Sequence, residues 1–166
     1  IPLFHMIGTT PEAKNYSSKF LNRLDDHIIT LDDIISLKSQ FGKKGDKIDV
    51  VVFAAPQLSI FEMQKVAELC IDKCFKVPVI ICTSPQVYSD ASRMKLIDQI
   101  EKTGAKVLEG TCFYNQYARE IGLANGWKRL MSNSAKIVNI LGGYGYEPSL
   151  SSMENCIDSA VAGEIV

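Results

Sequence analysis

Two short clusters between Gly110 and Leu141 carry residue types that could do chemistry together. The first, Gly110-Thr111-Cys112, offers a thiol beside a hydroxyl, and a thiolate near helix N-termini can act as a nucleophile or a metal ligand. The second, Ser132 to Lys136 (SNSAK), offers hydroxyls, an amide and an ammonium group where a helix is predicted to begin. Because helix N-termini attract anions, this second cluster could hold a carboxylate or a phosphate.

Both clusters also have simpler explanations. Serine and threonine are the usual N-cap residues, so their presence at the start of a helix requires no ligand. Free cysteine is among the most buried residue types, so Cys112 could be a small core residue. Cys82 also ends a predicted strand, and its sulfur would approach that of Cys112 if the two strands are neighbours. The residues by themselves leave these alternatives open.

A third group of candidates lies near the N-terminus, in HMIGTTPE. His5 and His27 are the only histidines, which excludes a histidine-rich metal site. His5 has apolar neighbours, and a hydrogen-bonded core histidine is the commoner outcome there than a catalytic base. Glu12 could be a general acid or base, or the acidic first-turn residue of a helix.

The elements that must position these residues can be read from hydrophobic runs and capping signals. Val50–Ala54 is a β-branched apolar run, typical of a strand buried on both faces, and Pro56 is expected to end it. Further strands are predicted over 3–7, 26–30, 77–82, 106–109 and 130–132. From Glu12 to Asn22 the chain is expected to be helical or irregular. Helices are predicted over about 31–41, 60–75, 85–103, 134–142 and 152–163. Their starts are indicated by capping boxes at Thr30-Leu31-Asp32-Asp33 and Ser59-Ile60-Phe61-Glu62, by Thr83-Ser84-Pro85 and by Ser151-Ser152-Met153-Glu154.

Strands that alternate with helices predict a three-layer α/β/α sandwich with a mainly parallel sheet. In such sheets ligands bind beyond the carboxyl ends of the strands, which is where Cys112 and SNSAK would lie. A length of 166 residues fits one α/β domain spanning 1–166. The chain contains no glycine-rich dinucleotide loop, P-loop or GxSxG motif.

Composition narrows the classes of partner. The net charge of −1 provides no global field for nucleic acid or an anionic membrane. Five cysteines, with no zinc-ribbon or redox CxxC spacing, favour a reducing, cytoplasmic setting. Cys70 and Cys74 are predicted to share one helix face. The N-terminal IPLFHMIG does not have the features of a signal peptide or a membrane span, and the missing initial Met suggests that the chain was cut from something larger.

Five segments of the chain resemble, in this order, the large part of aconitase X enzymes: FHMIGTTPEA, FAAPQLSIFEM, EGTC, MSNSAK and MENCIDSAVAGE. The resemblance implies an aconitase-like hydro-lyase that dehydrates a small hydroxy acid. The substrate is cis-3-hydroxy-L-proline in one branch of that family and a phosphorylated mevalonate in another. The resemblance also implies iron, as a cluster or a single ion held by cysteines. It further implies remaining domains and a swivelling domain or small subunit that close the site.

Carried onto this chain, the resemblance implies Cys112 as a metal ligand and Glu12 and Ser134 as catalytic residues. It implies substrate binding by His5, Thr10, Ser132, Asn133 and Lys136. Iron would act as a Lewis acid on the leaving hydroxyl while a base removes a proton beside a carboxylate. The chain departs from the family pattern at Ala55-Pro56-Gln57, where many members have Cys, Ser or Gly followed by Pro-His. It also has Ser132 in place of Thr.

The alternative is a non-catalytic α/β module that binds a small anionic ligand or a partner domain at the same edge. The two hypotheses differ in what they require. The enzyme needs further metal ligands to converge on Cys112, whereas the binding module needs only the SNSAK pocket.

Overall fold

The computed structural model describes residues 4–16 and 28–166 and divides the chain into two compact units, Ile1–Ile34 and Ile35–Val166. In the smaller unit a 3-10 helix, η1 (Pro11–Asn15), follows Thr10. The strand predicted over 3–7 is wrong for residues 4–7, because the N–H groups of Thr9 and Thr10 both donate to the Met6 carbonyl and close a turn. The strand predicted over 26–30 is likewise absent from residues 28–30, which are irregular. Leu3, residues 17–22, Asp26 and His27 lie outside the described residues.

The capping box at Thr30-Leu31-Asp32-Asp33 is confirmed. The Asp33 carboxylate accepts from the Thr30 N–H at 2.8 Å, and the Thr30 hydroxyl accepts from the Asp33 N–H at 3.2 Å. These bonds satisfy N–H groups that have no partner within the helix, so α1 (Leu31–Ser39) begins here.

The larger unit is built on five parallel strands in the order β3-β2-β1-β4-β5. Their bounds are β1 Val50–Leu58, β2 Val79–Thr83, β3 Lys106–Glu109, β4 Arg129–Ser132 and β5 Glu147–Leu150. The predicted parallel sheet is therefore confirmed. Strand β5 was not predicted, because EPSL contains a proline and a charge and has no apolar run.

Helices cover both faces of this sheet, which gives the three layers predicted. Val51 and Phe53 point into one core, and Val50, Val52 and Ala54 point into the other, as alternation along a strand requires. The first core is completed by α2 (Ile60–Leu69), α3 (Pro85–Arg93), α4 (Leu96–Glu101) and α7 (Met153–Ala162). The second is completed by α5 (Ala118–Asn125), α6 (Ala135–Gly142) and a 3-10 turn, η2 (Phe113–Asn115).

Three local predictions need correction. β1 does not end at Pro56 but continues to Leu58. The single helix predicted over 85–103 is two helices, because Lys95 adopts a left-handed conformation (φ 65°) that breaks the first. Cys70 and Cys74 do not share a helix face, since α2 ends at Leu69; Cys70 is buried and Cys74 is exposed.

The strand order creates a switch point beside β1. The chain builds outward from β1 through β2 to β3, then crosses back to place β4 on the opposite side of β1. Loops that leave β1 and β4 therefore diverge at their carboxyl ends, which opens a crevice of the kind where α/β sheets bind ligands. In the part of the chain that the structure describes, none of the helices is long and apolar enough to cross a membrane.

Candidate active site

The SNSAK loop begins at the carboxyl end of β4, at the switch point. Ser132 is fully buried, and its hydroxyl accepts a hydrogen bond of 3.1 Å from the Ser134 N–H. The Ser134 hydroxyl accepts from the Ile137 N–H at 3.2 Å and donates to the Ala55 carbonyl oxygen at 2.5 Å. Ser134 is thus the N-cap of α6 and also ties that helix to β1. Both hydroxyls are committed to contacts within the protein.

Asn133 and Lys136 have a different role, because their polar groups remain available. The Asn133 side chain is half-buried and the Lys136 side chain is exposed, and neither makes a hydrogen bond or an ion pair with another described residue. The N–H groups of Ala135 and Lys136, in the first turn of α6, also have no partner among the described residues. One amide, one ammonium and a helix N-terminus together can hold a carboxylate or phosphate.

The Cys112 loop follows β3. Gly110 starts it with a left-handed conformation (φ 67°), and its N–H donates to the Thr83 carbonyl at 2.9 Å. The Thr111 carbonyl accepts a bond of 2.8 Å from Gln57 Nε2, and the Thr111 hydroxyl accepts from Gln116 Nε2 at 2.5 Å. Cys112 itself is half-buried and directly precedes η2. The strand-to-helix junction predicted here is therefore a junction with a short 3-10 turn.

Tyr114 brings the two loops together. The Lys136 Nζ atom lies 5.7 Å from the centre of the Tyr114 ring, within the range of a cation–π interaction. Since Tyr114 is two residues after Cys112, the SNSAK loop and the Cys112 loop share one edge of the sheet. This convergence was expected from the strand ends, but neither Tyr114 nor Gln57 was among the predicted site residues. The sequence signal for Gln57 was its place in Ala55-Pro56-Gln57, where the chain departs from the family pattern.

Cys82 lies behind Cys112 on the neighbouring strand β2. Burial, and next the nearby Cys112 thiol, raise the pKa of Cys82 to about 11, although the Phe113 N–H donates to its sulfur and opposes the rise. The strands β2 and β3 are neighbours, which meets the condition under which the two sulfurs would approach, and the two thiols are close enough to interact. Cys82 therefore stays protonated at neutral pH, which makes it a weaker metal ligand than a thiolate.

The described residues do not form a complete metal site. No group of three or more histidine, cysteine, aspartate or glutamate side chains converges anywhere within residues 4–16 and 28–166. Cys112 fits as a single accessible sulfur ligand. It does not by itself form an iron or iron–sulfur centre.

The N-terminal candidates form a local cluster within the smaller unit. The Thr10 hydroxyl accepts from the Met6 N–H at 2.8 Å, and Glu12 is exposed in the first turn of η1. His5 is exposed rather than a core residue, so that expectation is wrong. Its Nε2 lies 3.2 Å from the hydroxyl of Tyr16, and the two rings are 5.0 Å apart. The expected strand would have buried His5, but residues 4–7 do not form one.

Two cavities, of about 380 and 550 Å³, lie away from this edge. The first is lined by residues from Arg119 to Trp127 and from Gly142 to Tyr146, which precede β4 and β5. The second lies beside the first residues of the same two strands. Both are near the amino ends of the strands. Concavity alone would therefore point to the end of the sheet opposite the SNSAK and Cys112 loops.

The chain is similar to several known proteins. The family described as "Aconitase X third domain" matches residues 48–162. Cis-3-hydroxy-L-proline dehydratase of Pseudomonas aeruginosa is 27% identical over 98% of this chain and 29% of its own length. Phosphomevalonate dehydratase large subunit of Methanocaldococcus jannaschii is 26% identical over 82% of this chain and 32% of its own length.

Among solved structures, the holo-form of Thermococcus kodakaraensis aconitase X matches with a TM-score of 0.73. It is 24% identical, and the match covers 93% of this chain and 38% of that chain. The likeness confirms the fold. The chain spans about a third of the length of these relatives.

Proposed function

This chain belongs to the aconitase X family, and from that premise we propose that it forms part of a hydro-lyase that removes water from a small hydroxy acid. The relatives named above are dehydratases, which supports the reaction class. The two candidate substrates are cis-3-hydroxy-L-proline and 5-phosphomevalonate. Both carry an anionic group that the SNSAK loop could hold.

The observation that carries the proposal is the convergence of two loops at the switch point. The Lys136 ammonium lies over the ring of Tyr114, which belongs to the segment of Cys112. The two loops follow β4 and β3, which lie on opposite sides of β1. A group that can hold an anion and a thiol that can ligate a metal, placed at one edge, are compatible with metal-assisted dehydration of an acid. A helix cap alone would not need the second loop.

In the proposed reaction, Lys136, Asn133 and the free N–H groups of α6 bind and orient the substrate anion. If that anion is the carboxylate beside the reacting carbon, the same groups stabilise the negative charge that develops when the neighbouring C–H proton is removed. The electron pair of that C–H bond forms the new double bond, the C–O bond breaks, and the hydroxide takes a proton and leaves as water.

Glu12 is the proposed base for the C–H proton, with His5 and Thr10 beside it on the N-terminal segment as substrate-binding residues. Ser134 and Ser132 contribute differently from the direct roles implied by the resemblance. Because their hydroxyls are bonded to Ile137, Ala55 and the Ser134 N–H, we propose that they shape the loop that presents Asn133 and Lys136.

Iron or an iron–sulfur cluster is the proposed cofactor, and Cys112 is the residue of this chain that would ligate it. A bound iron would supply Lewis-acid assistance to the departing hydroxyl. The further ligands, and the swivelling domain or small subunit that closes the site, would come from the remaining parts of an aconitase-like enzyme. None of the proposed reaction steps depends on the geometry of those ligands or of the closing domain or subunit.

The test uses the complete protein that carries this chain, reconstituted with iron without oxygen. Bound iron and dehydration of both substrates are measured in the parent protein, in Cys112→Ala and in Cys74→Ala as the matched control. Cys74 is exposed and distant from this edge in sequence. We expect Cys112→Ala to lose iron and activity together, while Cys74→Ala retains both.

Two other outcomes would change the conclusion. Retention of iron and activity in Cys112→Ala would remove this thiol from the site. Binding of a small anion that depends on Lys136, without dehydration of either substrate by the iron-loaded parent, would favour the non-catalytic module.

A further inference from the structure

The carboxyl end of β1 contains an irregularity that no sequence pattern indicated. β1 pairs in register with β2 up to Phe53↔Ile81 and resumes at Leu58↔Thr83. Residues 54–57 of β1 therefore lie opposite Cys82 alone, and the extra length forms a protruding segment that we call the β1 bulge. Within it, Ala55 adopts a left-handed conformation (φ 48°). The Thr83 hydroxyl donates to the Leu58 carbonyl at 2.6 Å and fixes the point where the strand returns.

The β1 bulge is bonded to both candidate loops. On one side the Ala55 carbonyl accepts from the Ser134 hydroxyl, at the start of the anion-holding helix. On the other side Gln57 Nε2 donates a hydrogen bond of 2.8 Å to the carbonyl of Thr111, the residue directly before Cys112. The bulge thus connects the loop after β4 to the loop after β3, although β2 lies between β1 and β3 in the sheet.

Gln57 binds the backbone carbonyl oxygen of Thr111, and this atom is linked directly to the backbone of Cys112. A peptide unit is planar, and the Thr111 carbonyl belongs to the same plane as the N–H and Cα of Cys112. A hydrogen bond to that carbonyl therefore fixes the orientation of the peptide plane that contains the Cα atom of Cys112, from which the side chain leaves. Gln116 contacts the same residue but only through the Thr111 side chain, so it does not constrain this plane directly.

We propose that Gln57 is a positioning residue: through the Thr111 carbonyl it sets the direction of the Cys112 thiol relative to the loop that carries Lys136. The inference rests on the proposed function, because that function gives Cys112 its role. The inference adds to the proposed function a structural role for the β1 bulge. Gln57 is half-buried and uses an amide N–H, so its contribution depends on a donor and not on charge.

The experiment removes the donor while keeping the size of the side chain. Gln57→Met and Gln57→Glu both lack the amide N–H, and Gln116→Met is the matched control on the other side of Thr111. Two quantities are measured in the complete protein: iron affinity after anaerobic reconstitution, and the alkylation rate of Cys112 in the iron-free protein, followed by mass spectrometry of its peptide. Melting temperature is recorded for each variant to separate positioning from unfolding.

Loss of one such bond is expected to weaken iron binding and to raise the alkylation rate of Cys112, each by about fivefold. Gln116→Met should change neither quantity by more than about twofold. Unchanged alkylation and iron affinity in both Gln57 variants would overturn the inference, as would an equal effect in Gln116→Met. Because alkylation requires no iron, a positive alkylation result beside absent iron binding would reject the proposed function and leave the positioning role standing.

Discussion

The Lys136 ammonium lies 5.7 Å from the centre of the Tyr114 ring, and this contact joins two loops that follow strands on opposite sides of β1. The ring face is electron-rich, so it stabilises the ammonium without neutralising it. Lys136 makes no ion pair with another described residue. Its positive charge therefore remains available to an anion at the switch point, beside the segment that carries Cys112.

The first prediction concerns that charge. Lys136→Met should raise the dissociation constant of a substrate anion about tenfold or more, because a charged hydrogen bond contributes about 1.5–3 kcal/mol. The measurement is isothermal titration with each of the two candidate substrates. Lys65→Met is the control, since Lys65 pairs with Glu154 on the helices of the other sheet face. Equal losses in both variants would mean that Lys136 has no specific role.

The second prediction separates the two hydrogen bonds of Ser134. Ser134→Ala removes a helix cap and also the buried donor to the Ala55 carbonyl, whereas Ser152→Ala removes the equivalent cap of α7 and a hydrogen bond to the exposed Glu154. A lost cap costs about 1 kcal/mol, and an unpaired buried carbonyl costs about 1–3 kcal/mol more. Chemical denaturation should therefore show a larger loss of unfolding free energy for Ser134→Ala. Equal losses would show that the bond to β1 contributes nothing to stability.

The third prediction is a pH dependence that comes from Asp49, which joins the start of β1 to the start of β4. Burial alone would raise the pKa of Asp49. The N–H groups of Arg129 and Lys128 and the Arg129 guanidinium outweigh burial and lower it. A lowered carboxyl pKa contributes stability that is present above the unfolded pKa of about 4 and is lost as the pH falls below it.

Asp49→Asn should accordingly reduce the unfolding free energy at pH 7, by about 1–3 kcal/mol for the charged bonds it weakens. The difference from the parent protein should shrink as the pH falls from about 5 to about 3. Denaturation curves at several pH values measure it. A difference that stays constant over this range would assign the loss to packing and not to the carboxylate charge.

The fourth prediction uses the unequal environments of the five cysteines. Burial, the largest cause in each case, raises the pKa of Cys70 and Cys82 to about 11 and that of Cys156 to about 12. Their thiolate fractions at pH 8 are therefore about one in a thousand or less. Iodoacetamide at pH 8 should label Cys74, which is exposed, and Cys112, which is half-buried, well before the other three.

Peptide mass spectrometry over a time course checks this order, and labelling in denaturant gives the reference for all five thiols. Iron bound at Cys112 should protect that residue and leave the labelling of Cys74 unchanged. Rapid labelling of Cys82 in the native protein would contradict its burial behind the Cys112 loop.

The sequence by itself determined the central strands and most helix starts. Val50–Ala54 is apolar throughout and begins with three β-branched valines, which favours a strand buried on both faces. Thr30 and Ser59 were correctly predicted as caps, because a cap depends on residues three positions apart and not on the rest of the fold. The motifs around Cys112 and SNSAK also identified the family, which the match to residues 48–162 confirms.

Only the tertiary structure decided how those residues are held together. Gln57 reaches a carbonyl 54 residues away, and Ser134 reaches one 79 residues away. Such pairs are set by the order β3-β2-β1-β4-β5 and by the bulge of β1, not by any local spacing. A periodic pattern predicts which face of an element is buried, but it does not predict which strand becomes its neighbour. For that reason the sequence could predict an anion loop and a thiol, while their meeting through Tyr114 required the fold.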